Sequence, residues 1–374
     1  MEQPSSVKLV EICRVAPKPG AQVDLLSLPL TYFDSLRLRF PPVQHLYFYE
    51  LTSSSSTTST DSLLAYLKTS LSLTLKHFVP LAGNLTWPQD SPRPVLSYVE
   101  GDAVSLTVAE STDADNFDHL SSNRVFVESR DYHPLVPQLE SSHEEAAAIA
   151  LQITLFPGRR FAIGTAMHHA ILDGKTSISF VKSWVHACSK QVENGVSDIG
   201  SDVSLPEKLK PLYDRTVCLV KAREVEAGET SYQVFSVDCR SRLDRPVPEN
   251  YFGNCTRGVP VFAEANDLLG EDGLVVAVTA ISEAIKGLDK NGFEGGRRVE
   301  GLYSTAGSHR FQIYDTDFGW GTPTKVEVVS IDRTGAFSVS DSKNGGGGVE
   351  VGVVLKKHVM EDFASLFAKG FEKH

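Results

Sequence analysis

A strand–turn–strand–helix pattern in the middle of the chain constrains the fold more than any other feature. Residues 151–156 alternate with a period of two, and residues 161–167 form a second strand-like segment. The Pro157-Gly158 pair between them is a turn signal, so the two segments predict a β-hairpin. A helix is predicted to begin near Thr176 and to place four side chains on one face: Ile178, Val181, Trp184 and Cys188. A strand followed directly by a helix favours a mixed fold over an all-helical or all-β fold.

The rest of the chain continues this mixed pattern in two halves. Further strands are predicted at residues 7–15, 47–51, 231–237, 311–314, 325–331 and 349–355. Further helices are predicted after Asp61, at residues 274–286 and at the end of the chain, where Met360, Phe363 and Phe367 share a face. The 374 residues are enough for two domains, and a polar, irregular stretch separates the halves. We predict a first domain at residues 1–190, a linker at 191–216 and a second domain at 217–374.

Two histidines, an aspartate and a glycine lie between the hairpin and the helix. His168, His169, Asp173 and Gly174 would project at the edge of the sheet. A histidine with an ordinary pKa of about 6.5 can accept a proton at cellular pH, and Asp173 could orient the ring or hold the loop. Gly174 would allow a backbone conformation that a Cβ forbids. The alternative is that these residues only cap the helix. No third ligand is nearby and H-E-x-x-H is absent, so no metal is predicted.

A second motif, Asp317-Phe318-Gly319-Trp320-Gly321, lies in the second half. Its two glycines allow the backbone to turn tightly around a large ring, and a packed aromatic turn is the favoured interpretation. Kinases share the D-F-G letters, but the chain has no Gly-rich phosphate loop and no H-R-D loop, which excludes a kinase. G-x-S-x-G is also absent, so nothing indicates a covalent acyl-enzyme.

A charged loop in the second half contains two arginines, Arg240 and Arg242, close to Asp238 and Asp244. Opposite charges at this spacing are more often a salt-bridged or solvated loop than an anion-binding site. We therefore predict ion pairs here, with an anion site as the alternative.

The overall charge and the cysteines exclude several classes of protein. The 36 Lys and Arg against 47 Asp and Glu give a net charge of −11, which argues against binding to nucleic acids or anionic membranes. No apolar stretch reaches the roughly 18–20 residues of a membrane span, and residues 1–8 do not have the pattern of a signal peptide. The five cysteines are odd in number and widely spaced, which argues against a disulfide framework. We expect a cytoplasmic monomer.

Together, these segments resemble the BAHD family of plant acyl-CoA-dependent acyltransferases. Both family signatures occur in the expected order, H-x-x-x-D-G at residues 169–174 and D-F-G-W-G at residues 317–321. H-x-x-x-D alone also occurs in chloramphenicol acetyltransferases and peptide-synthetase condensation domains, whereas D-F-G-W-G is specific to this family. Y-F-G-N-C at residues 251–255 resembles the signature of the branch that acylates anthocyanins and other phenolic glucosides, commonly from malonyl-CoA.

The resemblance implies an α/β, two-domain, chloramphenicol-acetyltransferase-like fold, each domain being a mixed sheet with covering helices. It implies that His169 is the general base and that Asp173 points away from the substrate and pairs with an arginine, for which Arg240 and Arg242 are both candidates. Trp320 would either help to stabilise the oxyanion or, like the rest of its motif, be structural. No bound cofactor is implied. The co-substrate would be an acyl-CoA, with malonyl-CoA the first choice, and the other partner a small phenolic glucoside.

The chain departs from the family's pattern near residue 216. Residues 211–216 resemble the end of the first half, whereas residues 217–222 resemble the middle of the second, as though several tens of residues between them were absent. We therefore expect the second domain to be truncated, without elements that help to bury its core and to form a wall of the CoA channel.

The leading hypothesis is an O-acyltransferase that transfers malonyl from CoA to a sugar hydroxyl of a phenolic, flavonoid or anthocyanin glucoside, by general-base catalysis in a ternary complex. A first alternative uses a hydroxycinnamoyl-CoA with the same acceptors. A second alternative, motivated by the absent segment, is a truncated protein that binds its ligands without turnover.

Overall fold

The fold is described from a computed structural model of the chain. The structure describes residues 7–20, 27–51, 59–89, 91, 93–113, 116–122, 126–142, 144–195, 199–218, 233–261, 267, 272–287 and 303–372. Its strands are β1 Val7–Val15, β2 Ser27–Pro29, β3 Val43–Glu50, β4 Asn84–Thr86, β5 Val95–Ser97, β6 Val104–Ser111, β7 Glu145–Ala147, β8 Ile149–Phe156, β9 Arg160–Met167, β10 Gln233–Asp238, β11 Thr256–Val261, β12 Tyr303–Gly307, β13 Lys325–Val328, β14 Phe337–Asp341 and β15 Val349–Gly352. Its helices are α1 Tyr32–Ser35, α2 Thr60–Leu75, α3 Asn116–Ser121, α4 Ser129–Tyr132, α5 Gly174–Asn194, α6 Gly273–Gly287, α7 Ile331–Thr334 and α8 Lys357–Glu372. Mixed sheets with helices confirm the predicted α/β class.

The largest sheet has the strand order β1-β6-β8-β9-β3-β13. β8 and β9 pair antiparallel and form the predicted hairpin. The outermost strand, β13, comes from the C-terminal half of the chain and pairs with β3, so that Lys325 lies opposite Phe48. A division of the chain at residues 190 and 216 therefore does not divide its sheets, because a strand beyond the second boundary completes the sheet of the first half.

The main core lies between this sheet and the helices α2 and α5. The face of α5 that the sequence predicted to be apolar is buried, and Trp184 on it is fully enclosed. Its indole Nε1 donates to the Leu67 carbonyl at 3.1 Å and to the Ser70 hydroxyl at 3.0 Å on α2. The indole N–H is thus satisfied inside an apolar interface. This packing holds α5 firmly, and the loop before α5 contains the two histidines.

Two smaller sheets complete the described part of the chain. One has the order β2-β5-β4-β7, and the other, in the C-terminal half, has the order β11-β10-β12-β14-β15. The strand predicted at residues 311–314 is wrong. Two short 3-10 turns, His309–Phe311 and Ile313–Asp315, take its place because Gln312 between them adopts a left-handed conformation with φ 51°. The predicted junction at residues 217–222 lies mostly outside the described residues.

The helices of the C-terminal half leave large apolar side chains exposed. On α6, Val275 is 63% exposed and Val278 is 58% exposed, and on α8, Leu366 is 68% exposed and Phe367 is 59% exposed. Fully buried side chains of the same kinds are frequent in the first half, where α2 and α5 cover the large sheet. The C-terminal half therefore covers its apolar side chains less completely than the N-terminal half.

Candidate active site

The loop between β9 and α5 carries the two histidines at the place that the sequence predicted. The His168 N–H donates to the Ala148 carbonyl at 2.9 Å, and the Ile171 N–H donates to the His168 carbonyl at 2.9 Å. The side chains that follow the histidines are fully buried: Ala170, Ile171 and Leu172. Backbone hydrogen bonds and apolar packing therefore fix the loop on both sides of His169.

His169 is partly buried and its Nδ1 has no hydrogen-bond partner among the residues that the structure describes. The ring of Phe40 meets the imidazole edge to face, with the ring centres 5.5 Å apart. Burial, followed by the positive charge of Arg37, lowers the pKa of His169 to about 4. The ring is therefore neutral at pH 7 and has a nitrogen that can accept a proton.

Asp173 caps α5 and is itself enclosed by hydrogen bonds. Its Oδ1 accepts from the Thr176 N–H at 2.9 Å, and its Oδ2 accepts from the Cys255 N–H at 3.0 Å and from Arg240 Nη1 at 2.9 Å. Burial alone would raise the pKa of Asp173, but the charge and hydrogen bonds of Arg240 and two backbone N–H groups hold it below its usual range. The carboxylate is ionised, 2% exposed and fully engaged, which leaves it no oxygen for a substrate.

Arg240 and Arg242, which the sequence could not distinguish, have different environments. Arg240 is buried, with Nη1 2.9 Å from Asp173 Oδ2 and Nη2 3.2 Å from Asp173 Oδ1. The same guanidinium is 3.2 Å from Asp238 Oδ1, so the loop does contain an ion pair. Arg242 is exposed and donates to the Asp238 carbonyl at 2.8 Å. Arg240 is therefore the arginine that contacts Asp173.

Gly174 is needed for a reason other than the one expected from sequence. It is the first residue of α5 and does not have a positive φ, so the expectation of a conformation forbidden to other residues is wrong. A Cβ at this position would lie 2.7 Å from Cε2 of Phe311, a side chain of the C-terminal half. The glycine thus lets the two halves of the chain come close beside the histidine loop.

The segment that resembles the Y-F-G-N-C signature packs directly on this loop. The Tyr251 and Gly253 carbonyls accept from the Thr176 hydroxyl at 3.3 and 3.0 Å and from Arg240 Nη2 at 3.4 and 3.3 Å. The Cys255 N–H completes the set through its bond to Asp173. The segment thus holds the start of α5 through its backbone, a structural role that its resemblance to a branch signature did not predict.

Asn254 and Asp34 belong to the site and were missed by sequence reasoning. Asn254 Nδ2 donates to the His169 carbonyl at 3.1 Å and to Asp34 Oδ1 at 3.0 Å, and the Asn254 N–H donates to the same oxygen at 2.9 Å. Arg215 Nη1 is 3.0 Å from Asp34 Oδ2. The local signals were the spacing of Thr31 and Asp34, which form a capping box at α1, and the place of Asn254 in the Y-F-G-N-C segment. That spacing does not reveal a partner 220 residues away.

The D-F-G-W-G motif forms the tight aromatic turn that the sequence predicted. Asp317 Oδ1 accepts from the Gly319 N–H at 2.7 Å and from the Gly321 N–H at 2.8 Å. Both glycines have positive φ, 107° and 118°, which few other residues tolerate. The Phe318 ring meets the Trp184 ring of α5 edge to face at 5.0 Å. The motif therefore fixes a C-terminal segment against the core of the first half.

The same turn lies at the opposite end of α5 from His169. A Cβ on Gly319 would come within 2.9 Å of the Val192 Cβ, whereas Gly174 begins the helix beside the histidine loop. At 1.5 Å per residue, Val192 is about 27 Å along the helix from Gly174. Trp320 is buried at 4% exposure, and its ring packs edge to face against the rings of Tyr66 and Phe161. The described contacts of the D-F-G-W-G motif are therefore those of a packed turn, which favours the structural alternative for Trp320.

Three further features bear on other kinds of site. In the described ranges, no group of three or more His, Cys, Asp or Glu side chains is arranged to hold a metal ion. No helix in that part of the chain is long and apolar enough to cross a membrane. Four cysteines of the described ranges are not joined in disulfide bonds: Cys13, Cys188, Cys239 and Cys255.

Comparison with known proteins places this geometry in a family. The profile of the family described as "Transferase family" matches residues 7–205 and 217–369. Phenolic glucoside malonyltransferase 1 of Arabidopsis thaliana is 33% identical, and the match covers 99% of each protein. Agmatine coumaroyltransferase of Arabidopsis thaliana is 34% identical, and the match covers 97% of this chain and 99% of that protein. These relatives are named acyltransferases, which fits the neutral histidine on the loop.

A solved structure shows that the fold is shared as well. Vinorine synthase superposes with a TM-score of 0.69 at 17% identity, covering 95% of this chain and 96% of that one. The two-domain, chloramphenicol-acetyltransferase-like fold that the resemblance implied is thereby confirmed.

The chain is shorter than its relatives in its interior. The match to the malonyltransferase runs over 477 aligned positions for a chain of 374 residues, so at least 103 of those positions have no residue of this chain. The family profile is itself interrupted at residues 206–216. The first observation shows that interior positions of this relative have no counterpart in the chain, and the second shows a break in the family match next to residue 216, where the sequence predicts an absent segment. The signatures, the fold and the near-complete family match lead to one assignment: this chain belongs to the Transferase family, the BAHD acyltransferases.

Proposed function

We propose that the chain transfers an acyl group from an acyl-CoA to a hydroxyl group of a phenolic or flavonoid glucoside, with His169 as the general base. The observation that carries the proposal is the state of His169, which is neutral and held through its backbone at the end of β9. The other acidic or basic candidate of the motif, Asp173, is occupied by Arg240 and by helix capping. Of these two side chains of the motif, His169 is therefore the one that is available to accept a proton.

The proposed mechanism transfers the proton of the acceptor hydroxyl to His169 while an electron pair of the hydroxyl oxygen forms the new bond to the acyl carbon. His169 takes the proton from the acceptor hydroxyl while that oxygen attacks the thioester carbonyl, which forms a tetrahedral oxyanion with both substrates bound. When the oxyanion collapses, the C–S bond breaks and the imidazolium returns the proton to the CoA thiolate. General-base assistance of this kind contributes about 10²–10⁴ in rate. No group of the protein becomes acylated, in keeping with the absence of a nucleophile motif.

Malonyl-CoA is the proposed donor, and a hydroxycinnamoyl-CoA is the alternative. The two relatives described above are named for malonyl and coumaroyl transfer at 33% and 34% identity, so identity alone does not rank the donors. The Y-F-G-N-C resemblance at residues 251–255 favours malonyl. A donor that ends in a carboxylate would also require a cationic group near its tail.

The test is a thiol-release assay with the 374-residue chain, malonyl-CoA or p-coumaroyl-CoA, and a panel of phenolic glucosides, with product masses measured. We expect acceptor-dependent CoA release and a matching mass gain. His169→Gln should lose about 10²–10⁴ in kcat at unchanged thermal stability. The matched control is His168→Asn, because an asparagine oxygen can still accept the Ala170 N–H that now bonds to His168 Nδ1 at 3.2 Å. Full activity in His169→Gln would remove this residue from the mechanism.

A ligand-binding protein without turnover is the second candidate, and the 103 or more aligned positions without a residue of this chain favour it. Such a protein would bind CoA and unfold cooperatively but would never release a thiol. Insertion of a segment from a relative at residue 216 separates the two candidates. Activity gained with the insert would mean that the motifs are competent and that the substrate channel is not.

A further inference from the structure

A buried carboxylate, Asp34, is joined to the backbone of His169 and has no part in the mechanism described so far. Its side chain belongs to α1 and is fully buried. Its Oδ1 accepts from the Asn254 N–H at 2.9 Å and from Asn254 Nδ2 at 3.0 Å. The same Nδ2 donates to the His169 carbonyl at 3.1 Å. A path of two hydrogen bonds through one amide nitrogen therefore connects Asp34 with His169.

The second oxygen of Asp34 fixes the carboxylate itself. Oδ2 accepts from the Thr31 N–H at 2.8 Å, from the Thr31 hydroxyl at 2.7 Å and from Arg215 Nη1 at 3.0 Å. A rotation of the carboxylate would break several of these bonds at once. Asp34 Oδ1 is therefore held in place where it faces Asn254.

The orientation of the Asn254 amide decides whether the His169 carbonyl is held. An asparagine amide has two N–H donors on its nitrogen and only an acceptor on its oxygen. In the structure, the nitrogen serves Asp34 and His169 together. If the amide turned by 180°, its oxygen would face two other acceptors, Asp34 Oδ1 and the His169 carbonyl. Because a carboxylate accepts and does not donate, Asp34 disfavours the turned amide.

The peptide unit that follows His169 is held at both ends. Its carbonyl accepts from Asn254, and its N–H, which belongs to Ala170, donates to His168 Nδ1 at 3.2 Å. The direction of the His169 side chain depends on this backbone, and a small displacement of a reacting group lowers the rate strongly. A turned Asn254 amide would remove the bond to the carbonyl and loosen the backbone of the proposed base.

We propose that Asp34 is a positioning residue that acts through Asn254: its Oδ1 keeps the asparagine amide turned so that Nδ2 holds the His169 carbonyl. The proposal rests on the proposed function, in which His169 is the general base. The contacts that carry it belong to the protein without substrate, so they can be measured without turnover.

The variant that tests the proposal is Asp34→Asn, which keeps the shape of the side chain and replaces one acceptor oxygen with an NH₂ group. The donors at Oδ2, from Thr31 and Arg215, keep the oxygen of the new amide on their side. The NH₂ group then faces Asn254 and favours the turned Asn254 amide, which accepts a hydrogen bond instead of donating one. We therefore expect the His169 carbonyl to lose its hydrogen bond.

Nuclear magnetic resonance can observe that carbonyl directly, in protein labelled with ¹³C at the histidine carbonyls and ¹⁵N at alanine. A ¹³C–¹⁵N correlation then arises only where alanine follows histidine, which occurs at His169–Ala170 and His186–Ala187. The first signal is identified by its loss in His169→Gln, and the second, inside α5, is an internal reference. In Asp34→Asn, the ¹³C signal of the His169 carbonyl should move upfield, and that of His186 should stay in place.

Thr31→Val is the matched control, because it weakens the same cluster without touching Oδ1. It removes the hydroxyl bond to Asp34 Oδ2 and the side-chain cap of α1. We expect a lower melting temperature and an unchanged His169 signal. A double variant tests the route through Asn254. In Asn254→Ala the His169 signal should already be shifted, and adding Asp34→Asn should shift it no further.

Each outcome decides the proposal. An unchanged His169 signal in folded Asp34→Asn overturns it, and so does an equal shift in Thr31→Val or a further shift in the double variant. Asp34→Ala is a second variant, and if neither variant of Asp34 folds, Asp34 is a structural residue and the proposal is rejected.

The carbonyl signal is informative even if the chain proves inactive, so a failure of the proposed function leaves this test intact. If the chain is active, kcat should fall at least about tenfold in Asp34→Asn, with a smaller change in KM. Thr31→Val should keep the wild-type kcat below its melting transition. A wild-type kcat in Asp34→Asn, in spite of a shifted signal, would mean that the contact does not position the base and would overturn the proposal.

Discussion

Arg240 donates two hydrogen bonds to the Asp173 carboxylate, from Nη1 to Oδ2 at 2.9 Å and from Nη2 to Oδ1 at 3.2 Å. Asp173 caps α5 of the first half, and Arg240 follows β10 of the second. Both side chains are enclosed, with 1% of the arginine side chain and 2% of the aspartate side chain exposed. The pair thus fastens the two halves of the chain directly behind the loop that carries His169.

Breaking the Arg240–Asp173 pair should lower the free energy of unfolding far more than removing Arg242, two residues away. Arg240→Gln leaves the Asp173 carboxylate buried without its cation, which we expect to lower the free energy of unfolding by about 3–5 kcal/mol. Arg242→Gln removes only an exposed hydrogen bond to a carbonyl and should change it by less than about 0.5 kcal/mol. Urea unfolding of both variants measures the difference. Equal losses would contradict the assignment of Arg240 as the partner.

The same pair should make stability depend on pH in a defined direction. The pKa of Asp173 is lowered in the folded chain, so its contribution is complete above the unfolded value of about 3.9 and is lost as pH falls through the folded value. The difference in unfolding free energy between wild type and Arg240→Gln should therefore be largest near neutral pH and should shrink as pH falls, first as the buried Asp173 of the variant takes up a proton and then as the wild-type carboxylate does. A difference that grew in acid would mean that Asp173 is not the group concerned.

The site was predictable from sequence only where its chemistry is local. His169 and Asp173 could be identified because a strand, a polar turn and a helix occur in immediate succession. Asn254 and Asp34 could not, because they meet across 220 residues and neither belongs to a local pattern of ligands or catalytic groups. The choice between Arg240 and Arg242 was equally out of reach. Side chains two residues apart share a loop, and only the folded backbone shows which one turns inward.

Asn254 should matter both for turnover and for stability. Its Nδ2 holds the His169 carbonyl at 3.1 Å, so Asn254→Ala frees the backbone of the catalytic residue and should lower kcat at least tenfold. The lost hydrogen bonds should also cost about 1–3 kcal/mol of unfolding free energy. Asn250→Ala is the matched control, because Asn250 Nδ2 likewise donates to a backbone carbonyl, that of Lys210 at 2.8 Å. The measurement is kcat and KM at a temperature where both variants are folded. An equal loss of kcat in Asn250→Ala would show that the effect of Asn254 is not specific.

Gly319 should be essential for stability and dispensable for chemistry. Its φ is 107°, and an added Cβ would lie 2.9 Å from the Val192 Cβ. Gly319→Ala therefore combines backbone strain with a steric clash and should lower the free energy of unfolding by at least about 2 kcal/mol. Gly345→Ala is the control, because Gly345 also has a positive φ, 66°, but has open space around it. Gly345→Ala should lower the free energy of unfolding by about 1–2 kcal/mol.

Activity per folded molecule should be unchanged in Gly319→Ala, because the turn is about 27 Å along α5 from the histidine loop. The measurement is the thiol-release rate divided by the concentration of folded protein, determined below the melting transition. A lower kcat in the folded fraction would mean that the D-F-G-W-G motif contributes to catalysis.

The elements of the fold that could be predicted are those with a clear period in the local sequence. The β8–β9 hairpin and α5 follow from spacing, since a period of two and a period of about 3.6 can be read in a few residues. The position of β13 in the first sheet could not be predicted, because its partner strand β3 lies near the other end of the chain. The predicted strand at residues 311–314 failed because its apolar residues suit a strand and only the left-handed Gln312 breaks it.

Exposed apolar side chains on α8 should be replaceable without loss of stability. Leu366 and Phe367 are 68% and 59% exposed, so the double variant Leu366→Gln/Phe367→Gln gives up little buried area. Glutamine also has a good helix propensity. We expect the free energy of unfolding to change by less than about 0.5 kcal/mol per substitution, and self-association at high concentration to decrease. Urea unfolding and light scattering measure the two quantities.

The control for α8 is Phe180 on α5, which is fully buried in the main core, and Phe180→Ala should cost about 3–5 kcal/mol. A loss of more than about 1 kcal/mol in the α8 double variant would contradict the exposure of these side chains in solution. The exposure of apolar side chains on α8 fits a chain that has no residue at 103 or more of the positions aligned with a relative. Insertion of a relative's segment at residue 216 should then reduce binding of an apolar dye to the wild-type chain. The same insertion should have less effect on the α8 double variant, which has already lost much of the apolar surface that the dye would contact.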